Sequence, residues 1–314
     1  MKNKITCLLA GAALFGATAN AEIVLTDDLS AYGYIDMALT DGEGDANTDT
    51  AVAEFELGFA FTPAESAWSA VAELSFDGAG VTDFETVTIS YQYSDALLFT
   101  FGNILSYQGF ETFDATGLYQ FSYAGIGGVP LYTAGYAVGA AADYTAGDFD
   151  FGVWIGDDAA GNSGTNSFEY LVAYNGIENL TLKAIVADDP GYDTTNIWAS
   201  YDMGDFTFAV EYIDNEFTAG DGSYSYAGVD VTDITESDAL VFMVYKAFGN
   251  AGLTLRYTDG EATSAFFGSG DYEKLTISPS YAFSDNVFGL VELSEEDLEG
   301  IEETTLAAEL IYSF

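Results

Sequence analysis

The chain has 314 residues, 49% of them hydrophobic and 16% aromatic, which is too apolar and too rich in rings for a disordered polypeptide. Six Lys and Arg stand against 51 Asp and Glu, a formal net charge of -45, so a phosphate backbone would be repelled and nucleic acid is excluded as a partner. With no His anywhere, chemistry that needs an imidazole as base, relay or metal ligand is excluded, and only carboxylate chemistry stays open.

Residues 1–21 have the layout of a secretory signal peptide: Lys2 and Lys4, a mostly apolar run from Ile5 to Ala17, and the small-x-small site Ala19-Asn20-Ala21. Cys7, the one Cys, lies within it, so the exported chain would carry no thiol or disulfide. The remaining segment, 22–314, reads as a single domain that keeps all the acids and only the bases Lys183, Lys246, Arg256 and Lys274.

No stretch of this segment approaches the roughly 20 consecutive apolar residues of a membrane-spanning helix. Period-2 alternation recurs instead. In Ala51 to Phe61 the odd positions carry Ala51, Ala53, Phe55, Leu57, Phe59 and Phe61, and the even ones include Glu54, Glu56 and Gly58. The next run is in the other phase, with Trp68, Ala70, Ala72, Leu74 and Phe76 interleaved by Ser69, Glu73, Ser75 and Asp77. The same template predicts about sixteen strands, at 29–39, 51–61, 67–77, 84–93, 97–103, 132–144, 149–156, 167–174, 180–188, 194–202, 206–214, 238–248, 252–258, 272–283, 287–294 and 305–314.

The connections alternate in kind. Short turns, such as Ser94 to Ala96, Asp202 to Asp205 and Ser284 to Asn286, alternate with longer stretches rich in Gly and acid, such as Thr40 to Thr50, Ile104 to Leu131, Asn215 to Ser237 and Asp259 to Asp271. Asp189 to Asp193 is the short exception among the latter. Such a meander predicts an all-β fold: an antiparallel up-and-down transmembrane barrel of the outer-membrane type, with short periplasmic turns and long outer loops. A secreted sandwich or solenoid would also alternate. Against it stand the aromatics gathered where strands meet short turns, among them Phe59, Phe61, Trp68, Tyr91, Tyr93, Tyr144, Phe149, Tyr281 and Phe283, and the absence of any fixed repeat.

The last strand, with Leu310, Tyr312 and Phe314 on one face, resembles the assembly signal of Gram-negative outer-membrane proteins, which implies recognition by the barrel-assembly machinery. Phe101-Gly102-Asn103, Gly109-Phe110-Glu111-Thr112-Phe113-Asp114 and Pro130-Leu131-Tyr132-Thr133-Ala134-Gly135-Tyr136 are similar to the third-loop region of Gram-negative porins, in particular to the OmpL-like β-barrel porin family. The resemblance implies location in the outer membrane, contact with its lipid and a homotrimer. It also implies that the third loop folds into the lumen, with Glu111 and Asp114 at the pore constriction.

With the apolar phase against lipid, the inward phase carries the acids Glu54, Glu56, Glu73, Asp143, Asp150, Glu169, Glu211 and Glu309, and the bases Lys183, Arg256 and Lys274. Lys246 is ambiguous, because Leu240 to Phe248 is apolar on both phases. Glu54 and Glu56 invite a glycosidase reading, their backbones being about 7 Å apart. Alternation alone places them so, however, and the chain does not read as an enzyme. No cofactor is expected. A structural Ca2+ in acidic loops such as Asp41 to Asp45 is compatible with the oxygen ligands there, although the spacing is not that of an EF-hand. The expectation is a water-filled channel for small hydrophilic solutes that prefers cations. The alternative is a structural or adhesive barrel with a plugged lumen.

Overall fold

The computed structural model describes residues 22–42, 49–77, 82–111, 114–125, 129, 131–133, 135–157, 166–218, 225–226, 229–230, 234–264, 268–298 and 301–314. The signal peptide and most of the Asp41 to Asp45 stretch lie outside these residues. Among the described residues, sixteen antiparallel strands form a closed barrel. They are β1 Leu29–Gly42, β2 Asp49–Phe61, β3 Trp68–Asp77, β4 Thr82–Ser94, β5 Leu97–Leu105, β6 Tyr136–Ala146, β7 Phe149–Asp157 and β8 Asn166–Tyr174. There follow β9 Leu180–Asp189, β10 Tyr192–Met203, β11 Phe206–Phe217, β12 Ile234–Phe248, β13 Ala251–Ser264, β14 Gly268–Ser284, β15 Val287–Leu298 and β16 Ile301–Ser313. No described helix is long and apolar enough to cross a membrane.

Each strand pairs with the next, and β16 pairs back onto β1, with Thr305 opposite Gly42 and Ser313 opposite Tyr34. Closure removes both sheet edges, which is the condition for a sheet to stand in lipid without unsatisfied backbone groups. The seam is completed by Phe314 and Gly33, each donating its N–H to the other's carbonyl at 2.9 Å.

Alternation sorts the two faces. On β7, Phe149, Phe151, Val153 and Ile155 are exposed, while Gly152, Trp154 and Gly156 are buried. The exposed phase continues around the barrel through Ile197, Phe242, Leu255, Val291 and Leu306, giving an apolar outer belt. Near the short turns the belt becomes aromatic, with Trp68 tilted against Tyr91 (centroids 4.6 Å apart), Tyr281 against Phe283 (5.1 Å) and Phe149 against Tyr174 (4.9 Å). Lys246 belongs to this outer phase: its ammonium lies 4.4 Å from the Phe206 ring centroid and 4.9 Å from that of Phe248, beside the turn that follows β12.

At the short-turn end the reversals are tight. Gly204 opens the two-residue turn between β10 and β11 with φ 62°, a left-handed conformation that a side chain would resist. At the other end the strands run further than the alternation predicts. β13 and β14 take in most of Asp259 to Asp271, and β12 begins at Ile234. Beyond the lipid belt the backbone ladder continues through Gly, Thr and acidic residues that need no apolar face, so hydrogen bonding persists where the sequence signal stops. β6, by contrast, begins at Tyr136 rather than at residue 132, because Leu131 to Thr133 are committed to the third loop.

Candidate functional site

The third loop, 106–135, leaves β5 and turns into the lumen. Its backbone N–H groups are received by wall residues. Glu169 on β8 accepts from Ser106 Oγ and from Tyr107 N, both at 2.7 Å. Asn196 on β10 accepts from Gly109 N at 2.9 Å, and Glu211 on β11 accepts from Phe110 N at 2.9 Å and from the Tyr132 hydroxyl at 2.7 Å. Glu292 on β15 accepts from Phe121 N at 2.8 Å. Hydrogen bonds to charged acceptors contribute about 1.5 to 3 kcal/mol each, so these carboxylates act as clamps on an otherwise irregular segment.

The loop's carbonyls are held in turn. Arg256 on β13 donates to Ser122 O and Tyr123 O, each at 2.7 Å, and pairs with the Glu111 carboxylate. Glu111 also accepts from Gln120 Nε2 at 2.6 Å and from Ala124 N at 2.8 Å. Thr254 and Thr258 donate to Tyr119 O (2.8 Å) and Ala124 O (2.7 Å), and Lys274 donates to Gly125 O at 3.1 Å while pairing with Glu296 at 2.8 Å. Apolar contacts fill the rest. Ala124, Val129 and Leu131 pack on Ile213, Ala239, Val241 and Tyr272; Phe110 and Tyr107 pack on Ile185, Leu171 and Trp198.

The loop therefore lies mainly on the wall formed by β8 to β15, and at Ala115 and Phe121 it also packs against Tyr34 on β1 and Ile311 on β16. The rest of the loop's flank faces β1 to β4 and β16 across a gap, and the inward side chains of those strands include Asp36, Glu54, Glu56, Glu73, Glu85 and Glu309. The Tyr34 hydroxyl donates to Glu54 Oε2 at 2.6 Å and Ser75 Oγ donates to Glu54 Oε1 at 2.7 Å. Tyr32 donates to Glu73 at 2.5 Å, its ring lying across Gly58, where a Cβ would meet the ring at 2.3 Å. From the loop, Asp114 faces Glu54, Glu56, Glu73 and Glu85. Burial, then the charges of Glu73 and Glu54, push the Asp114 carboxyl up to about 7. A cavity of about 480 Å3 runs along this gap between Asp36, Glu54 and Glu309 on the wall and Leu118, Phe121 and Tyr123 on the loop, with Lys274 and its partner Glu296 also in its lining.

The residues singled out from the sequence fall into four groups. Glu54, Glu56, Glu73, Glu309 and Asp114 gather along the gap. Glu111, Glu169, Glu211, Arg256 and Lys274 hold the loop against its wall, Glu111 itself being 6% exposed inside its pair with Arg256. Asp143, Asp150 and Lys183 lie toward the short-turn end, where Asp143 accepts from the Tyr107 hydroxyl at 2.8 Å, Asp150 accepts from Thr145 Oγ1 at 2.6 Å and Lys183 lies 5.0 Å from the Trp198 ring centroid. Leu310 and Tyr312 are exposed on the lipid face and Phe314 lies at the seam.

Sequence reasoning missed Asp36, Glu85, Asn196 and Glu292. Asp36 and Glu292 sit on inward phases and were legible. Glu85 was not, because the register of β3 against β4 shifts between Ala72 and Leu74 and turns Glu85 inward, although Val87 and Ile89 on the same strand face lipid. The seat of the loop had one signal, the two-phase apolar run Leu240 to Phe248, whose inward members Val241 and Met243 support Leu131 and Tyr119.

No family model matches the chain, and no curated protein sequence matches it. Solved structures do. An outer-membrane protein of Vibrio cholerae, OmpT, is 14% identical with a TM-score of 0.71, over 94% of this chain and 100% of that one. OmpF of Salmonella typhi, in complex with daunomycin, is 12% identical with a TM-score of 0.72, over 93% of this chain and 100% of that one. An anion-selective porin from Comamonas acidovorans is 15% identical with a TM-score of 0.69, over 91% and 99%. The chain shares the fold of outer-membrane porins.

Proposed function

We propose that this barrel is an outer-membrane porin of a Gram-negative bacterium, passing small hydrophilic solutes and ions by diffusion and favouring cations. The observation that carries the reading is the one-sided seating of the third loop. The inward bases Arg256 and Lys274 are taken up by loop carbonyls and carboxylates, and among the described residues the charged inward side chains of the opposite wall are all acids. Charges of one sign beside a low-dielectric wall concentrate counter-ions in the water between them.

The fold does not dictate the sign of selectivity, since the Comamonas acidovorans neighbour of the same architecture is an anion-selective porin. The lining does. The Vibrio cholerae neighbour has a trimer form, and the apolar belt here gives lipid or a second copy an equivalent surface, so a homotrimer is part of the proposal. The OmpL-like resemblance remains part of it as well. Reversal potentials in planar bilayers under a KCl gradient test the reading: a cation-selective sign is expected, reduced when Glu54, Glu73 and Asp114 are replaced by Gln, Gln and Asn. An anion-selective sign would overturn it. A barrel that inserts but passes no current would point to the plugged, adhesive alternative.

A further inference from the structure

Glu56 is the least comfortable side chain in the gap. It is 4% exposed, yet among the described residues no donor hydrogen-bonds to its carboxylate and no base pairs with it. Its inward neighbours are acids: one oxygen each from Glu54, Glu56 and Glu85 lie within 4.8 Å of one another, and Asp114 faces the same group from the loop. A buried carboxylate left without a donor or counter-charge is costly, and several together more so.

Two irregularities of the barrel create this arrangement. The register of β1 against β2 shifts between Asp36 and Met37, leaving Ala53 unpaired beside Glu54. The shift of β3 against β4 turns Glu85 inward. Bulges re-aim side chains at the cost of ladder hydrogen bonds. Here two of them, on strands separated only by β3, point acids at one spot. Tyr34 and Ser75 hold Glu54 from behind and leave Glu56 toward the cluster.

We propose that Glu54, Glu56 and Glu85 bind one hard divalent cation of the size of Ca2+ inside the pore, and that its occupancy reduces the monovalent current. Oxygens around Ca2+ lie about 2.3 to 2.6 Å from the ion, so ligands on opposite sides are separated by up to about 5 Å, and the observed spacing fits without rearrangement of the wall. An all-carboxylate set with no S or N ligand favours a hard ion over zinc or copper. The site is distinct from the outer acidic loops, and its effect on current rests on the channel reading, although binding does not.

The test is calorimetric titration of CaCl2 into the purified, chelator-treated barrel in detergent with KCl present to screen the outer acids. A single site is expected, with a Kd on the order of 10⁻⁵ to 10⁻³ M, weakened about tenfold or more in Glu56→Gln and in Glu85→Gln and unchanged in Glu65→Gln, on a short turn. Heat-modifiable gel migration verifies that each variant is folded, and Glu85→Gln carries the test if Glu56→Gln does not assemble. No binding by the wild type, or binding that survives both cluster substitutions, would overturn the proposal. In bilayers, added Ca2+ should lower the K+ conductance of the wild type and not that of Glu56→Gln. Calcium binding in a barrel that passes no current would keep the site and sink only the channel.

Discussion

Arg256 shows how much of the loop's position depends on single side chains. It is 2% exposed, and its guanidinium reaches two loop carbonyls and the Glu111 carboxylate. Removing one partner of such a pair leaves the other charge buried and uncompensated, at a cost of about 3 to 5 kcal/mol. Arg256→Met should therefore release the loop: single-channel conductance rises and open-channel noise increases, with the barrel still folded. Replacing both members, as Arg256→Met with Glu111→Gln, should be milder than the single change.

Asp114 supports a second residue-scale prediction. It is faced by Glu54 and Glu56 from β2, Glu73 from β3, Glu85 from β4, Tyr34 from β1 and Tyr136 from β6, with no base among them. A carboxyl raised to about 7 is ionised at pH 8 and protonated at pH 6, whereas an ordinary carboxylate of about 4 keeps its charge across that interval. Cation selectivity should thus fall as pH is lowered from 8 to 6, with a midpoint near 7, and Asp114→Asn should flatten the profile. A selectivity that stays constant until pH 5 would assign Asp114 an ordinary environment.

Among the elements, the strands were the legible part and the loop's seat was not. All sixteen strands follow from alternation, because a wall between lipid and lumen must present apolar and polar side chains in turn. Alternation says nothing about what lies across the lumen. Alternation marks Glu169 and Glu211 as lining acids because they point inward; that they receive the N–H groups of Tyr107 and Phe110 depends on a loop distant in sequence. Deleting Gly109 to Gly127 should raise single-channel conductance, since it removes the material opposite Glu54 and Glu309. Unchanged conductance would mean that another element limits flow. At the final strand, Phe314→Asp should leave export intact but reduce assembly into the heat-resistant form, because it removes the ring that stacks 6.4 Å from Phe55 and puts a charge beside the seam.

For the whole molecule the governing quantity is how far its one-signed field reaches. At about 0.1 M salt the Debye length is roughly 10 Å, and at 1 M it is about 3 Å. Selectivity measured at low salt should therefore include acids spread over the entire acidic wall, and at 1 M only those nearest the passing ion. A KCl gradient should give a reversal potential that shrinks as mean salt rises, and Asp114→Asn should remove most of the part that persists at 1 M. A selectivity independent of salt would argue for size exclusion rather than charge.

The reciprocal bonds between Phe314 and Gly33 have a kinetic meaning as well. They join residues at nearly opposite ends of the described chain, and the β16–β1 ladder above them is equally non-local, while each other barrel pairing joins strands consecutive in sequence. Fifteen hairpin-like pairings can form in sequence order with modest loop-closure entropy, but the sixteenth must wait for the first strand and the last to find each other. Until then the sheet has two open edges able to recruit strands from other copies. Ring closure is thus the slow, aggregation-exposed step of assembly, and weakening the seam should lengthen that interval more than it lowers the stability of barrels already shut.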